Sequence, residues 1–200
     1  MAGLRKSRSK KPFTIFTFTT SERFARIWYH LVSKVLPIDK WHIIIGDSAG
    51  NINPTLFPDA EILKIYNFTH GKKIDLFLNK VISSPIAFLC DDDVYLTQDI
   101  TPLTKNLEDI GAISLKPRTW YKWQIAGKQF EPMGSYALLI NKKLIQKLGL
   151  SFLPSKKLCS TKIFPAGTKA QPNYDTADHI NEFLLKNNYD IPIYPAEKFT

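Results

Sequence analysis

The chain has 200 residues, enough for one domain with its own core, and its 44% hydrophobic and 22% charged content excludes a fibrous or disordered protein. Two cysteines, Cys90 and Cys159, exclude a disulfide framework or a CxxC metal site, so a reducing, cytoplasmic setting is expected. Of the net charge of +9, Arg5, Lys6, Arg8, Lys10 and Lys11 lie within residues 1–12, where no acid accompanies them. That segment is read as a basic, disordered arm, without the apolar stretch of a secretory signal, and residues 13–200 as a single domain. The arm could touch an anionic membrane surface peripherally, whereas the rest of the chain carries too small a basic excess to make nucleic acid an expected partner. No run of about 18 apolar residues is present to span a membrane.

Phe13 to Thr19 alternates apolar and hydroxyl side chains, a strand pattern. Phe24, Ile27, Trp28, Leu31, Val32 and Val35 follow at helical spacing, with Thr19 and Glu22 spaced as a capping box and Pro37 closing the segment. Trp41 to Ile45 predicts a second strand ending in the turn Gly46 to Gly50, and Ile62 to Tyr66 a third. Ile74, Phe77, Leu78, Val81 and Ile82 repeat the helical period before Pro85. Ile86 to Cys90 is then an uninterrupted apolar run, the mark of a strand covered on both faces.

Further on, Thr101-Pro102 opens a short helix, Ile110 to Leu115 predicts a strand, and Pro117 to Pro132 is an irregular aromatic segment holding Trp120, Tyr121 and Trp123. Tyr136 to Ile140 predicts a strand, and Asn141 caps a helix that ends at Gly149. Residues 151–173 read as a long loop, Asp175-Thr176 as the start of a helix, and Ile191 to Tyr194 as a final strand. This alternation predicts an α/β/α sandwich around a mostly parallel sheet, with its ligand crevice at the carboxyl ends of the strands. Asp47 and the triplet Asp91-Asp92-Asp93 are both expected there.

Two unit charges about 4 Å apart repel by roughly 1 kcal/mol in water and about 4 kcal/mol at an effective dielectric near 20, so three carboxylates beside a core strand call for a cation. A solvated acidic turn is the alternative. A few carboxylates, with water in the other positions, are how Mg²⁺ or Mn²⁺ is held against a diphosphate. No glycine lies between Gly3 and Gly46, which excludes GxGxxG and P-loop phosphate binding at the first turn.

The order of these motifs resembles the metal-dependent glycosyltransferases of the GT-A fold, family 2 type, over roughly residues 12–195. Asp91-Asp92-Asp93 matches the Asp-x-Asp motif of that family, which implies Asp91 and Asp93 as metal ligands and Asp91 and Asp92 as neighbours of a nucleotide sugar. The resemblance also implies nucleotide-sugar contacts at Thr19, Thr20 and Arg23, at Asp47, at Lys73 and Asn79, and at Gly134 and Ser135. The general base of the family stands at the start of a late helix, where either Asp175 or Asp178 could serve. Trp120, Tyr121 and Trp123 could form a platform for the donor sugar or the acceptor.

The expected activity is transfer of a hexose from a nucleoside-diphosphate sugar, UDP-linked, to a glycan, lipid-linked or protein acceptor, with inversion and with Mn²⁺ or Mg²⁺. The alternatives are a retaining transferase of the same fold, a non-catalytic sugar-nucleotide binder, and a nucleic-acid-binding module resting on the basic arm.

Overall fold

The computed structural model describes residues 9–107, 110–115, 117–194 and 199. Most of the basic arm lies outside the described residues. Of the remainder, the Ser9 carbonyl accepts from Ser83 Oγ at 3.1 Å and Lys11 Nζ donates to the Trp41 carbonyl at 3.2 Å.

Strand β1 (Phe13–Thr19) leads into α1 (Glu22–Val35), followed by β2 (Trp41–Asp47) and β3 (Ala60–Lys64). Helix α2 (His70–Leu76) runs on into a π-turn over Phe77–Val81 and is followed by β4 (Ile86–Cys90). A 3-10 turn at Thr101–Asn106 precedes β5 (Ala112–Ser114), β6 (Lys122–Ile125), β7 (Lys128–Phe130) and β8 (Ala137–Asn141). Helix α3 (Lys142–Lys147), β9 (Ser155–Leu158), β10 (Lys162–Ile163), β11 (Asn173–Tyr174) and α4 (Asp178–Lys186) are the remaining described elements.

The main sheet has six strands in the order β3-β2-β1-β4-β8-β5. β1 pairs in parallel with both β2 and β4, β2 with β3, and only β8 runs against its neighbours. Alternate residues of each central strand enter opposite cores. Ile15, Ile43, Phe88 and Leu139 pack on one face with Ala25, Trp28 and Val32 of α1. Phe16, Ile44, Leu89 and Leu138 pack on the other with Ile74 and Phe77, Ile145 of α3, and Ile180 and Leu184 of α4. This double burial is why β4 is apolar throughout: each large side chain so covered contributes about 1.5–3 kcal/mol. The expected mostly parallel α/β/α sandwich is therefore present.

Several local expectations are corrected. The N-cap of α1 is Ser21, whose Oγ accepts from Phe24 N, while Thr19 Oγ1 accepts from Ser21 N and the Glu22 carboxylate turns away to Asn53 N at 2.9 Å. The aromatic segment 117–132 is not irregular. β6 and β7 form a hairpin across Ala126-Gly127, with φ of 49° and 77°, the positive pair that a tight two-residue turn requires. β10 pairs with the other edge of β6, and β9 with β11, so part of the expected 151–173 loop belongs to two small sheets. Ile193 makes a single parallel bridge to Ser114 rather than a strand. Asn141 caps α3 as expected, its Oδ1 accepting from Leu144 N at 3.1 Å.

The parallel strands bring Thr19, Asp47 and Asp91 to one edge of the sheet. Helix α2 runs back from that edge, so its first residue, His70, lies beside Asp91 and its π-turn ends near the start of β4. Gly71 permits this placement. A Cβ there would stand 2.2 Å from the Phe152 carbonyl oxygen and 2.8 Å from its carbon, backbone atoms that cannot swing aside. Gly71→Ala is expected to lower the unfolding free energy by about 1–3 kcal/mol through overpacking. The measurement is the urea midpoint at unchanged slope, and an unchanged midpoint would mean that the Phe152 segment yields freely.

Candidate functional site

β4 delivers Asp91 to the sheet edge and fixes it there: its N–H donates to the Tyr136 carbonyl at 2.8 Å and its own carbonyl accepts from Val94 N at 3.0 Å. Asp91 and Asp92 are half-buried and Asp93 is exposed. Burial, followed by the charges of Asp93 and Asp92, pushes the Asp91 carboxyl up to about 7, against the opposing pull of Lys73 and Arg118. Ionisation of Asp91 is therefore disfavoured at this strand end, first by burial and then by its two acidic neighbours. Among the described residues no group of three or more His, Cys, Asp and Glu side chains is gathered as a metal cage. A cation here would accordingly take most of its ligands from a bound molecule or water.

Two cationic or ligating side chains of α2 face these acids. Lys73 is held partly buried, with its ammonium 5.3 Å from the centre of the Phe18 ring; burial lowers its pKa while Asp91 and Asp92 raise it. His70 Nε2 lies 3.6 Å from Asp91 Oδ1 and is buried without a hydrogen-bond partner. Burial is the main influence lowering the His70 pKa, opposed by the backbone of Ser135 beside the ring. Sequence reasoning passed over His70 because a lone histidine before a helix carries no motif.

Arg118, also missed, is the hub of the other half of the site. Its guanidinium is buried and forks between elements: Nη1 donates to Asp175 Oδ2 at 3.1 Å and to Tyr121 Oη at 3.4 Å, and Nη2 to Ser135 Oγ at 2.9 Å and the Thr176 carbonyl at 2.7 Å. One residue therefore ties the Gly134-Ser135 turn to the start of α4. Gly134 N donates to Ser114 Oγ at 3.0 Å, and Met133 N to Asn181 Oδ1 at 2.9 Å, which fixes the same turn from below.

The two late aspartates have different surroundings. Asp178 is fully buried: its Oδ1 accepts from Tyr121 Oη, its Oδ2 accepts from Asp175 N and pairs with Lys162, and Arg118 Nη1 lies at 3.6 Å. Enclosed by these partners and fully buried, Asp178 presents no face to an acceptor hydroxyl, which counts against its reading as a base candidate. The same bond from Asp175 N winds residues 175–177 into a tight turn, with Ala177 at φ 68°, and explains why α4 starts at Asp178 rather than at Asp175. The Asp175 side chain is 46% exposed, with Oδ1 accepting from Thr176 N and Oδ2 from Arg118. It also borders a cavity of about 300 Å³ lined by Gln171, Pro172, Asn173, Tyr174 and Asp175.

Other candidates are sorted in the same way. Asp47 is fully buried and spends both oxygens on its own loop, accepting from Ala49, Gly50 and Ile52 N–H groups; it shapes that loop rather than presenting a free carboxylate. Ser48 N donates to the Thr19 carbonyl at 2.8 Å, joining the ends of β1 and β2, while Thr20 and Arg23 are exposed beside them. Asn79 is a correction: it lies in the π-turn at the far end from Asp91, exposed and accepting from Gln146 Nε2 of α3. Of the expected aromatic platform, Tyr121 and Trp123 are fully buried in a small core with Cys159, because the hairpin turns them inward, and only Trp120 is open to solvent. The Arg118 guanidinium sits 5.5 Å from the centre of its ring. A larger cavity of about 650 Å³ lies on the outer face of α1 between Arg23, Arg26, His30 and Leu56, but no set of polar groups converges in it.

No protein-family model matches the sequence, and no curated protein matches it significantly. Solved structures do match. A mannosyltransferase from Pyrobaculum calidifontis, in complex with GDP-Man and Mn²⁺, superposes with a TM-score of 0.52 at 14% identity over 76% of this chain. Residues 1–349 of TarS from S. aureus superpose with a TM-score of 0.50 at 12% identity over 70% of this chain. The chain has a GT-A fold. It spans about half the length of these two structures, 50% of each. Within the GT-A framework, Asp91 ends the central strand and Arg118, Ser135 and Asp175 close the crevice beside it.

Two substitutions separate the roles of the late aspartates. Asp178→Ala leaves Lys162 without its buried carboxylate partner and takes one of two carboxylates from Arg118, and is expected to destabilise by roughly 3–5 kcal/mol. Asp175→Asn alters the half-exposed partner of Arg118 while Asp178 remains beside that guanidinium, and is expected to change stability by about 1 kcal/mol, less than Asp178→Ala. Urea unfolding of both variants checks this, and equal losses would contradict the division.

Proposed function

We propose that this chain is a metal-dependent glycosyltransferase that moves a hexose from a nucleoside-diphosphate sugar to an acceptor hydroxyl with inversion. The observation that carries the reading is the convergence of Asp91, His70, Lys73, Arg118 and Asp175 at the carboxyl edge of a GT-A sheet, close enough for their charges to perturb one another. A UDP-sugar is the first donor to try, and GDP-Man, bound in the Pyrobaculum neighbour, belongs beside it.

Asp91 and Asp93 would hold a divalent cation, Mn²⁺ or Mg²⁺. The donors fit: the Asp91 carboxyl stands beside Asp92 and Asp93, and the buried Nε2 of His70, 3.6 Å from Asp91 Oδ1, lacks a partner. When bound, such an ion offsets the charge that gathers on a departing diphosphate. Lys73 adds a second positive charge next to Asp91 and Asp92. The Asp47 loop, Thr19, Thr20 and Arg23 border the nucleoside side of the crevice, Gly134 and Ser135 the sugar, and Trp120 offers an apolar ring face.

In this scheme Asp175 is the general base. Arg118 and Thr176 N orient its two oxygens while nearly half of the side chain stays exposed. Asp175 takes the proton of the acceptor hydroxyl as that oxygen bonds to the anomeric carbon. The bond from the anomeric carbon to the phosphate oxygen breaks, and its electron pair leaves with the nucleoside diphosphate. Attack from the face opposite the leaving group inverts the anomeric centre. The acceptor is a glycan, lipid-linked or protein hydroxyl.

The test is turnover of UDP-sugars and GDP-Man with Mn²⁺. EDTA and Asp93→Ala are expected to abolish it, and Asp175→Asn to lower kcat by about 10²–10⁴-fold with stability kept. Activity undiminished by EDTA or Asp93→Ala removes the metal mechanism, and activity undiminished by Asp175→Asn removes the base. Tight nucleotide binding with no turnover would make the chain a non-catalytic sugar-nucleotide binder.

A further inference from the structure

His70 stands out because its ring is fixed on two sides and unused on the third. Phe18 packs edge-on against it, with ring centres 6.0 Å apart at 88°. Gly46 makes room for that packing, since a Cβ there would meet Phe18 Cδ1 at 2.6 Å. The Ser135 backbone lies beside the imidazole and favours its protonated form, while Nε2 itself is buried with no hydrogen-bond partner. A buried ring nitrogen with no protein partner is the kind of donor that a metal-binding histidine offers.

That nitrogen stands beside Asp91. The separation of 3.6 Å between Nε2 and Asp91 Oδ1 is too long for a hydrogen bond. Two donors each about 2.1 Å from a cation lie about 3.0 Å apart at a right angle and about 3.4 Å apart at the tetrahedral angle, so the observed gap is close to that of a ligand pair.

We propose that His70 Nε2 is a direct ligand of the divalent cation held by Asp91, an inference that rests on the metal reading above. It supplies the one nitrogen in an otherwise oxygen-rich set completed by phosphate oxygens and water. A nitrogen donor shifts such a site toward Mn²⁺ and Co²⁺ and away from Mg²⁺ and Ca²⁺.

The experiment is pulsed electron paramagnetic resonance of Mn²⁺ bound to the whole chain in the presence of UDP. A ¹⁴N coupling is expected, and labelling histidine with ¹⁵N is expected to convert it to a ¹⁵N coupling without any substitution. His70→Asn should remove the coupling and weaken Mn²⁺ binding about tenfold or more, at least the loss seen when an outer partner of a ligand is removed. Mg²⁺ affinity should change less. If Mn²⁺ binds and Asp93→Ala weakens it, yet no histidine coupling is seen or the coupling survives His70→Asn, the His70 assignment is overturned while the metal reading stands. If Mn²⁺ does not bind the unaltered chain, both fall. Should His70→Asn unfold, the labelling result on the unaltered chain still decides.

Discussion

The burden of negative charge at the end of β4 is the constraint around which the molecule is arranged. β4 is paired on both sides, by β1 and β8, and covered on both faces by apolar cores. Its last step into Asp91 is hydrogen-bonded to Tyr136, which fixes the backbone that carries the half-buried carboxylate. Burial and the two following acids push Asp91 up to about 7, a measure of how poorly the site tolerates ionisation by itself. Lys73 and Arg118 oppose this shift but offset only part of it. This imbalance is what the proposed cation and nucleotide would relieve.

The second half of the crevice depends on a buried charge cluster rather than on a strand. Arg118, Tyr121, Lys162 and Asp178 come from the aromatic segment, the small β6-β7-β10 sheet and the start of α4. Buried ion pairs of this kind contribute little net stability, since desolvation takes back most of the Coulombic gain, yet removing one member is severe. Their effect is geometric. They lock Ser135 and Asp175 on opposite sides of one guanidinium and leave Asp175 as the carboxylate of that cluster with an open face.

Much of the fold was legible from the sequence because its strongest signals are periodic. The spacing of Phe24 to Val35, the run Ile86 to Cys90 and the asparagine cap at Asn141 all report local physics that tertiary structure did not override. The hairpin at Ala126-Gly127 was lost because Ala is an unusual residue for a positive φ, and β9 to β11 because strands of two to four residues carry no period. Asp91 was legible as a charge anomaly. His70 and Arg118 were not: each is a single residue whose meaning comes from partners far along the chain, such as Asp175 and Ser135. Tyr121 and Trp123 misled for the converse reason, since an aromatic cluster reads alike whether it lines a crevice or fills a core. Asp175 and Asp178 could be told apart only by burial.

The central claim is that Asp91 joins a cation and a nucleoside diphosphate in one site. Isothermal titration of UDP and GDP into the chain, with and without Mn²⁺, tests it most directly. Binding in a shared site makes the two ligands mutually dependent, so Mn²⁺ should raise nucleotide affinity by a factor equal to that by which the nucleotide raises Mn²⁺ affinity, typically about 5–150-fold. Asp91→Asn should remove that coupling. Nucleotide affinity indifferent to Mn²⁺, or coupling that persists in Asp91→Asn, would contradict the claim.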